Sequence, residues 1–219
     1  MTASVHVHGV PGRSLLEAGV RAYGAADASR GSFIEQAVAR ALEHWLSHRS
    51  DCAGLHLFHD LGGFRDVARH GFGPVSLGTA NIDHVVLSGA QWLLIDAKGT
   101  GAGTLTTDDR GRGILIRPDG TVRPQRWLDS RRERSAAGVL VRLTGLRGWP
   151  VWVLPDATIF GPGMTRARAF QGGGTVTQIS DVYGGSLDEV LAVPQPPADP
   201  EAVAALTRYL ARPPDAAPG

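Results

Sequence analysis

Lysine is nearly missing from this chain of 219 residues: Lys98 stands alone, and the other 21 of its 22 Lys and Arg residues are arginines. An arginine guanidinium keeps its proton and binds as a planar fork, so Lys98 is the one compact cation here whose pKa an environment can tune. Cysteine is as scarce. Cys52 has no partner cysteine, which excludes an internal disulfide framework. No apolar run approaches the roughly 20 residues of a membrane span. Residues 1–30 lack a basic-then-apolar leader pattern, so the sequence predicts a cytoplasmic protein with no membrane partner. A surplus of one charge is also lacking. At a net charge of +1 no global field attracts nucleic acid, and any such surface must be a local patch. With 42% hydrophobic residues, the length suits one globular domain with extensions.

What is present is a hairpin with charges where apolar residues belong. Between Asn81 and Thr100, two apolar runs flank Gly89-Ala90. If these two residues form a type II′ turn, with Gly89 where φ must be unusual, Ser88 pairs with Gln91 and Asp83 falls opposite Asp96. Alternation then directs Asp96 and Lys98 to the face of Val85, Leu87, Trp92 and Leu94, leaving Ile82, Val86, Leu93, Ile95 and Ala97 on the other. A hairpin apolar on both faces belongs inside a domain. Like charges directly opposite are destabilising. A hard divalent cation, Mg²⁺ or Mn²⁺, would compensate, because it takes carboxylate oxygens and leaves positions for water and phosphate. One protonated carboxyl, or a register slip, would also relieve the clash. Lys98, two residues after an acid on a central strand, suits steering of a water nucleophile.

Asp83, followed after a short hairpin by Asp96-Ala97-Lys98, resembles the PD-(D/E)xK nuclease motif. The flanking Ile-Asp-His-Val-Val and Leu-Ile-Asp-Ala-Lys look like the nuclease-related (NERD) domain. The resemblance covers about Gly31 to Val193. It implies an α/β fold with a restriction-endonuclease-like core, a mixed central β-sheet flanked by helices in the order αβββαβ. It also implies metal-dependent hydrolysis of phosphodiester bonds, with DNA favoured over RNA. Gly31-Ser-Phe-Ile-Glu35 looks like the family's Gly-x-x-x-Glu, whose glutamate reaches the metal. The implied ligands are therefore Glu35, Asp83, Asp96 and the Ala97 carbonyl, and the implied catalytic set adds Lys98 and, in a secondary role, Gln125 at the start of a second helix. The alternative is a non-catalytic nucleic-acid-binding or interaction module that retains the fold.

The remaining chain divides around this core. Residues 1–30 read as an appendage, 31–193 as the nuclease-related domain, and 194–219, with 7 of the 14 prolines, as a tethered tail carrying a helix from Glu201 to Arg212. A helix is expected from Ser32 to about Ser47, where Ser32 and Glu35 match a capping box, so Glu35 has a structural explanation beside the functional one. His6 and His8, His44 and His48, and Cys52 with His56 and His59 each resemble fragments of a metal site, but none has a complete ligand set. Leu55 to Phe58 reads as a strand, Asp60 to Thr79 as a long Gly-rich connector, and His84 as a packing residue. Short strands are expected at 114–117 and 121–123 around Pro118-Asp-Gly120, and further strands at 151–154 and 176–179. A second helix, from about Gln125 to Leu143, gathers Arg126, Arg131, Arg132 and Arg134, with Arg123, Arg142 and Arg147 nearby. That cluster is either a phosphate-contacting surface or an ordinary solvated face.

Overall fold

The hairpin around Gly89 lies at the centre of a seven-stranded sheet. The computed structural model describes residues 4–16, 24–129, 132–161, 164, 168–169, 174–191 and 194–210. In it β5 (Ile82–Leu87) and β6 (Gln91–Ala97) are antiparallel neighbours. Outside β5 come β2 (His56–Leu61), antiparallel, and then β1 (His6–His8), parallel to β2. Beyond β6 follow β10 (Arg147–Leu154) and β13 (Thr175–Gln178), each parallel to its inner neighbour, and an edge strand β12 (Arg168–Ala169). Helix α1 (Ala25–Ser47) covers one face, and α2 (Arg132–Thr144) with α4 (Pro200–Thr207) covers the other; α3 (Ile179–Tyr183) packs beside α1. The order α1, β2, β5, β6, α2, β10 is helix, three strands, helix, strand, so the chain is a mixed α/β domain with a mixed central sheet.

The hairpin register matches the sequence reading. Val85 pairs with Leu94 and Leu87 with Trp92, and the Ser88 amide donates to the Gln91 carbonyl at 2.9 Å. The turn type does not match. Gly89 has no positive φ, and the Ser88 hydroxyl holds the loop by accepting from the Ala90 and Gln91 amides at 3.2 and 3.0 Å. Gly89 is needed for close approach instead: its amide donates to the Pro196 carbonyl at 2.8 Å, and a Cβ would collide with the Pro197 carbonyl. Val86, Leu93 and Ile95 pack under α1 with Val38, Leu42 and Trp45, whereas Val85, Leu87, Trp92 and Leu94 pack under α2 and α4 with Val139, Leu140 and Leu206. Ile82 departs from the expected alternation. It joins the α2 side with Leu61, its partner across the irregularity at Asp60, whose φ is 55°.

Several expected boundaries move. Helix α1 starts at Ala25 behind Gly24, so Ser32 lies buried inside the helix, accepting from Gln36 at 3.2 Å, and Ser32 and Glu35 form no capping box. Residues 6–8 are a strand of the main sheet rather than part of an appendage. The 60–79 connector folds as a hairpin of β3 (Val67–Arg69) and β4 (Phe72–Val75) on α2, with Phe64 and Val67 buried and Arg142 donating to the Gly73 carbonyl at 2.7 Å. The second helix begins at Arg132, after a short 3₁₀ turn, Arg126–Asp129. Arg123 lies on a strand and Arg147 on β10, so the expected arginine stripe is not one helix face. Arg131 and the side chains of Arg132 and Arg134 lie outside the described residues.

A second sheet was only half visible in the sequence. Its order is β11 (Thr158–Phe160), β7 (Gly103–Thr107), β8 (Gly113–Ile116) and β9 (Val122–Pro124). The β8–β9 turn at Pro118-Asp119-Gly120 is as expected, with Gly120 at φ 81°. Strand β7 escapes a hydrophobic reading because Gly-Thr-Leu-Thr-Thr buries only Leu105. Among the described residues, no helix is long and apolar enough to cross a membrane.

The tail is structural. Helix α4 starts at the Asp199 cap, Ala202 and Leu206 are buried in the α2-side core, and Tyr209 stacks on Phe64 with ring centroids 4.7 Å apart. Leu206→Ala is therefore expected to cost about 2–5 kcal/mol, as for other fully buried leucines. Urea unfolding checks this, and a loss near zero would mean that the tail contributes nothing to the core.

Candidate metal and nucleophile site

The site forms where β5, β6 and β10 end together. Extending the hairpin register one pair beyond His84 and Ile95 sets Asp83 opposite Asp96, on the face shared with Leu94. The parallel partner of Asp96 on β10 is Trp152. A narrow crevice lined by Asn81, Asp83, Leu94, Asp96 and Ala136 opens between the sheet end and α2. Asp83 Oδ2 accepts from the Ala97 amide at 2.8 Å, and the Lys98 amide donates to the Val153 carbonyl at 3.0 Å, which carries β6 past its last paired residue. Lys98 Nζ then contacts Asp96 Oδ2 at 2.5 Å, with both side chains about 15% exposed (16% and 14%).

Glu35 reaches this end from the middle of α1 and is only 6% exposed. Its pKa is pushed up to about 8, first by burial and then by the charges of Asp60 and Asp96; a backbone hydrogen bond at Gly12 and the Lys98 charge oppose the rise. Asp83 is raised well above the ordinary carboxylate range by burial, by the charges of Glu35 and Asp96, and by a hydrogen bond shared with Asp96. Burial and mutual repulsion thus favour protonated carboxyls in this cluster as long as no cation offsets their charge.

Asp60 is a fourth carboxylate, and sequence reasoning passed over it. Its side chain is buried, accepting from Asn81 Nδ2 at 3.1 Å and from the Ser14 amide, while the segment around Gly12 and Ser14 crosses beside Glu35. An aspartate inside the apolar run His56 to Leu61 was the available signal. His84 packs as expected. It is buried edge-on against His59, Nδ1 to Nδ1 at 2.8 Å, so one ring donates and the other accepts; burial depresses both pKa values, that of His59 to about 4. His8 is likewise tied to His56 at 2.9 Å, Cys52 is buried, and His44 lies in the last turn of α1 with His48 as its C-cap.

One expected residue, Gln125, is placed differently. The Gln125 side chain donates to the Arg123 carbonyl at 3.2 Å and accepts from Trp127 Nε1 at 2.8 Å, so its polar atoms are engaged locally, ahead of the 3₁₀ turn and not at the start of α2. Ala97 meets a carboxylate through its amide. Among the described residues, no three His, Cys, Asp or Glu side chains stand ready to hold a metal ion. The donors nonetheless suit a hard divalent cation by chemistry: Glu35, Asp83 and Asp96 offer carboxylate oxygens around one lysine, and each needs only to lose a proton or an ion pair. No protein-family model matches the chain, and neither the curated proteins nor the solved structures give a match.

Because Glu35 and Asp83 hold protons more tightly folded than unfolded, their own contribution to stability is full below the ordinary carboxylate pKa of about 4 and is lost as pH rises towards about 8, while the buried histidines, with depressed pKa values, oppose it in acid. Asp83→Asn imitates the protonated carboxyl. In EDTA at pH 8 the variant is expected to melt above wild type, with a flatter dependence on pH. Mg²⁺ or Mn²⁺ at about 100 times the dissociation constant should stabilise wild type by about 2.7 kcal/mol and the variant far less. Equal responses to the cation in thermal melts would separate Asp83 from any metal.

Proposed function

We propose that this chain is a divalent-metal-dependent nuclease of the PD-(D/E)xK superfamily, close to the nuclease-related domain, and that it hydrolyses phosphodiester bonds in DNA in the cytoplasm. One observation carries the reading: Asp83 and Asp96 meet across adjacent strands with the only lysine in contact with Asp96, while α1 delivers Glu35 to the same sheet end. The helix, three strands, helix, strand order supports a restriction-endonuclease-like core.

In this reading Glu35, Asp83 and Asp96, with the Ala97 carbonyl, hold Mg²⁺ or Mn²⁺. When bound, the cation would neutralise charge developing on the scissile phosphate and leaving oxygen. Lys98, released from Asp96, would position the attacking water or help take its proton. Asp96, freed from the ammonium, is then available as a ligand. The Ala97 amide fixes the Asp83 carboxylate at 2.8 Å and so limits its rotation. A second reading, a nucleic-acid-binding module without catalysis, is favoured by one feature: the carboxylates satisfy one another through the shared hydrogen bond and the Lys98 ion pair without a cation.

Cleavage of supercoiled plasmid, linear duplex and single strands in Mg²⁺, Mn²⁺ or EDTA separates the two. Activity should appear with either cation and vanish in EDTA. Lys98→Ala and Lys98→Arg should each lose about 10²-fold or more in rate, the range of a general acid–base contribution, with nucleic-acid affinity nearly unchanged. Wild-type turnover in Lys98→Arg removes the lysine from the mechanism.

A further inference from the structure

The four-stranded sheet leaves the trunk directly beside the candidate site. Strand β7 begins five residues after Lys98, and the sheet is fastened by Thr100 Oγ1 to Thr158 Oγ1 at 2.7 Å and by Gln178 Nε2 donating to the Thr158 carbonyl at 2.6 Å. Its inner row, Phe160, Leu105 and Leu115, packs with Leu128, Trp152 and Val176. The register makes the outer row Ile159, Thr104, Ile116 and Val122, of which Ile159, Ile116 and Val122 are 63%, 37% and 53% exposed. At the β9 edge, exposed Arg123 continues the inner row. Exposed Arg117 and Arg126 stand at the two ends of that edge, because the Arg117 amide donates to the Thr121 carbonyl and Arg126 opens the turn that follows β9.

We propose that this sheet is the surface that positions a nucleic-acid duplex over the site, with Arg117, Arg123 and Arg126 contacting phosphates. This rests on the nuclease reading for its orientation but not for its test. From the level of Thr121 to Arg126 the edge spans on the order of 15 Å at about 3.3 Å per residue, or about four to five nucleotide steps of a duplex strand. Three guanidiniums spread along that length can each reach a separate phosphate, and arginine binds phosphate bidentately. The arginines lie along the β9 edge and not on the outer row, so it is the edge strand that would lie against a duplex groove; the outer row, β-branched with no aromatic ring, offers none of the stacking that single-strand binding uses. The 3₁₀ turn carrying Arg126 leads into α2, whose Ala136 lines the crevice at Asp83 and Asp96. A duplex held at the β9 edge would therefore run towards the carboxylates.

The test is fluorescence anisotropy of the full chain in EDTA, where nothing is cut, with a labelled duplex of about 20 base pairs and its isolated strand, at about 50 to 200 mM salt. Three proteins are compared: wild type, Arg117→Ala/Arg123→Ala/Arg126→Ala, and a control of equal charge, Arg40→Ala/Arg147→Ala/Arg208→Ala. Circular dichroism melts confirm that each is folded. The first triple variant should bind duplex at least about tenfold more weakly at low salt, with a salt slope shallower by about 2.7, or about 0.9 for each lost phosphate contact. The control should keep most of the wild-type slope. The proposal is overturned if the two variants behave alike, if single strand binds as well as duplex, or if wild type binds neither. Failure of the nuclease reading would look different: no cation-dependent cleavage by a wild type whose duplex binding still depends on the β9 edge.

Discussion

Two carboxylates forced together by a strand register are the constraint around which the candidate site is built. The pairing of β5 with β6 is dictated by two apolar faces that must both be buried, one under α1 and one under α2. A slip by one residue would turn Val85, Leu87, Trp92 and Leu94 out of their core, so repulsion between Asp83 and Asp96 cannot be relieved by moving the strands. The groups that offset it within the protein are the hydrogen bond between the two carboxyls, the Ala97 amide and the Lys98 ammonium. The packing energy of the hairpin is spread along its length, and the electrostatic cost falls only at the end where the strands leave the core.

Glu35 and Asp60 extend the same logic to neighbouring elements. Helix α1 buries Val38, Leu42 and Trp45 against the sheet, and Glu35 lies on that stripe one turn before Val38, where the sheet runs out. Burial there disfavours the charged carboxylate, and the charges of Asp60 and Asp96 add to the effect, so its pKa rises to about 8. Asp60 adopts a φ of 55°, tolerable for aspartate, at the point where β2 loses its regular pairing with β5. Strand irregularity, helix stripe and hairpin end converge, and the chain from Gly12 to Ser14 closes the remaining side with backbone hydrogen bonds.

Much of this was legible because it follows from alternation. The hairpin register, the opposed aspartates and the faces of most hairpin residues could be derived from period two and a two-residue loop. The turn type could not, because the reason for Gly89 is the carbonyl of Pro197, more than a hundred residues away. Helix α1 was misjudged at its start since Ser32 and Glu35 satisfy a capping pattern that tertiary burial overrides. Composition misled at both termini. A segment rich in Gly and Ala still supplies β1 at a sheet edge, and a proline-rich tail still buries Leu206, because one or two well-placed apolar residues suffice to dock a short element. The second sheet was half read for the converse reason: β7 presents one buried residue, too weak a period to notice.

The arginine count then bears on where a polyanion could approach. Reading Arg123 to Arg147 as one helix face treated sequence proximity as spatial proximity. The fold disperses them. Arg142 is engaged by the Gly73 and Gly138 carbonyls and stacks over Phe72, so it fastens the β3–β4 hairpin to α2. Arg147 lines a cavity at the turn end of the central hairpin, with Gln91, Trp149 and Glu189, opposite to the carboxylates. Arg49 is buried between Asp51, Asp188 and the Leu191 carbonyl and ties the end of α1 to the segment before the tail. Among the exposed described arginines, Arg117, Arg123 and Arg126 are grouped on β9 and its flanking turns. A net charge near zero is therefore compatible with a local field, because several of the arginines serve as internal hydrogen-bond donors and those on the second sheet face solvent.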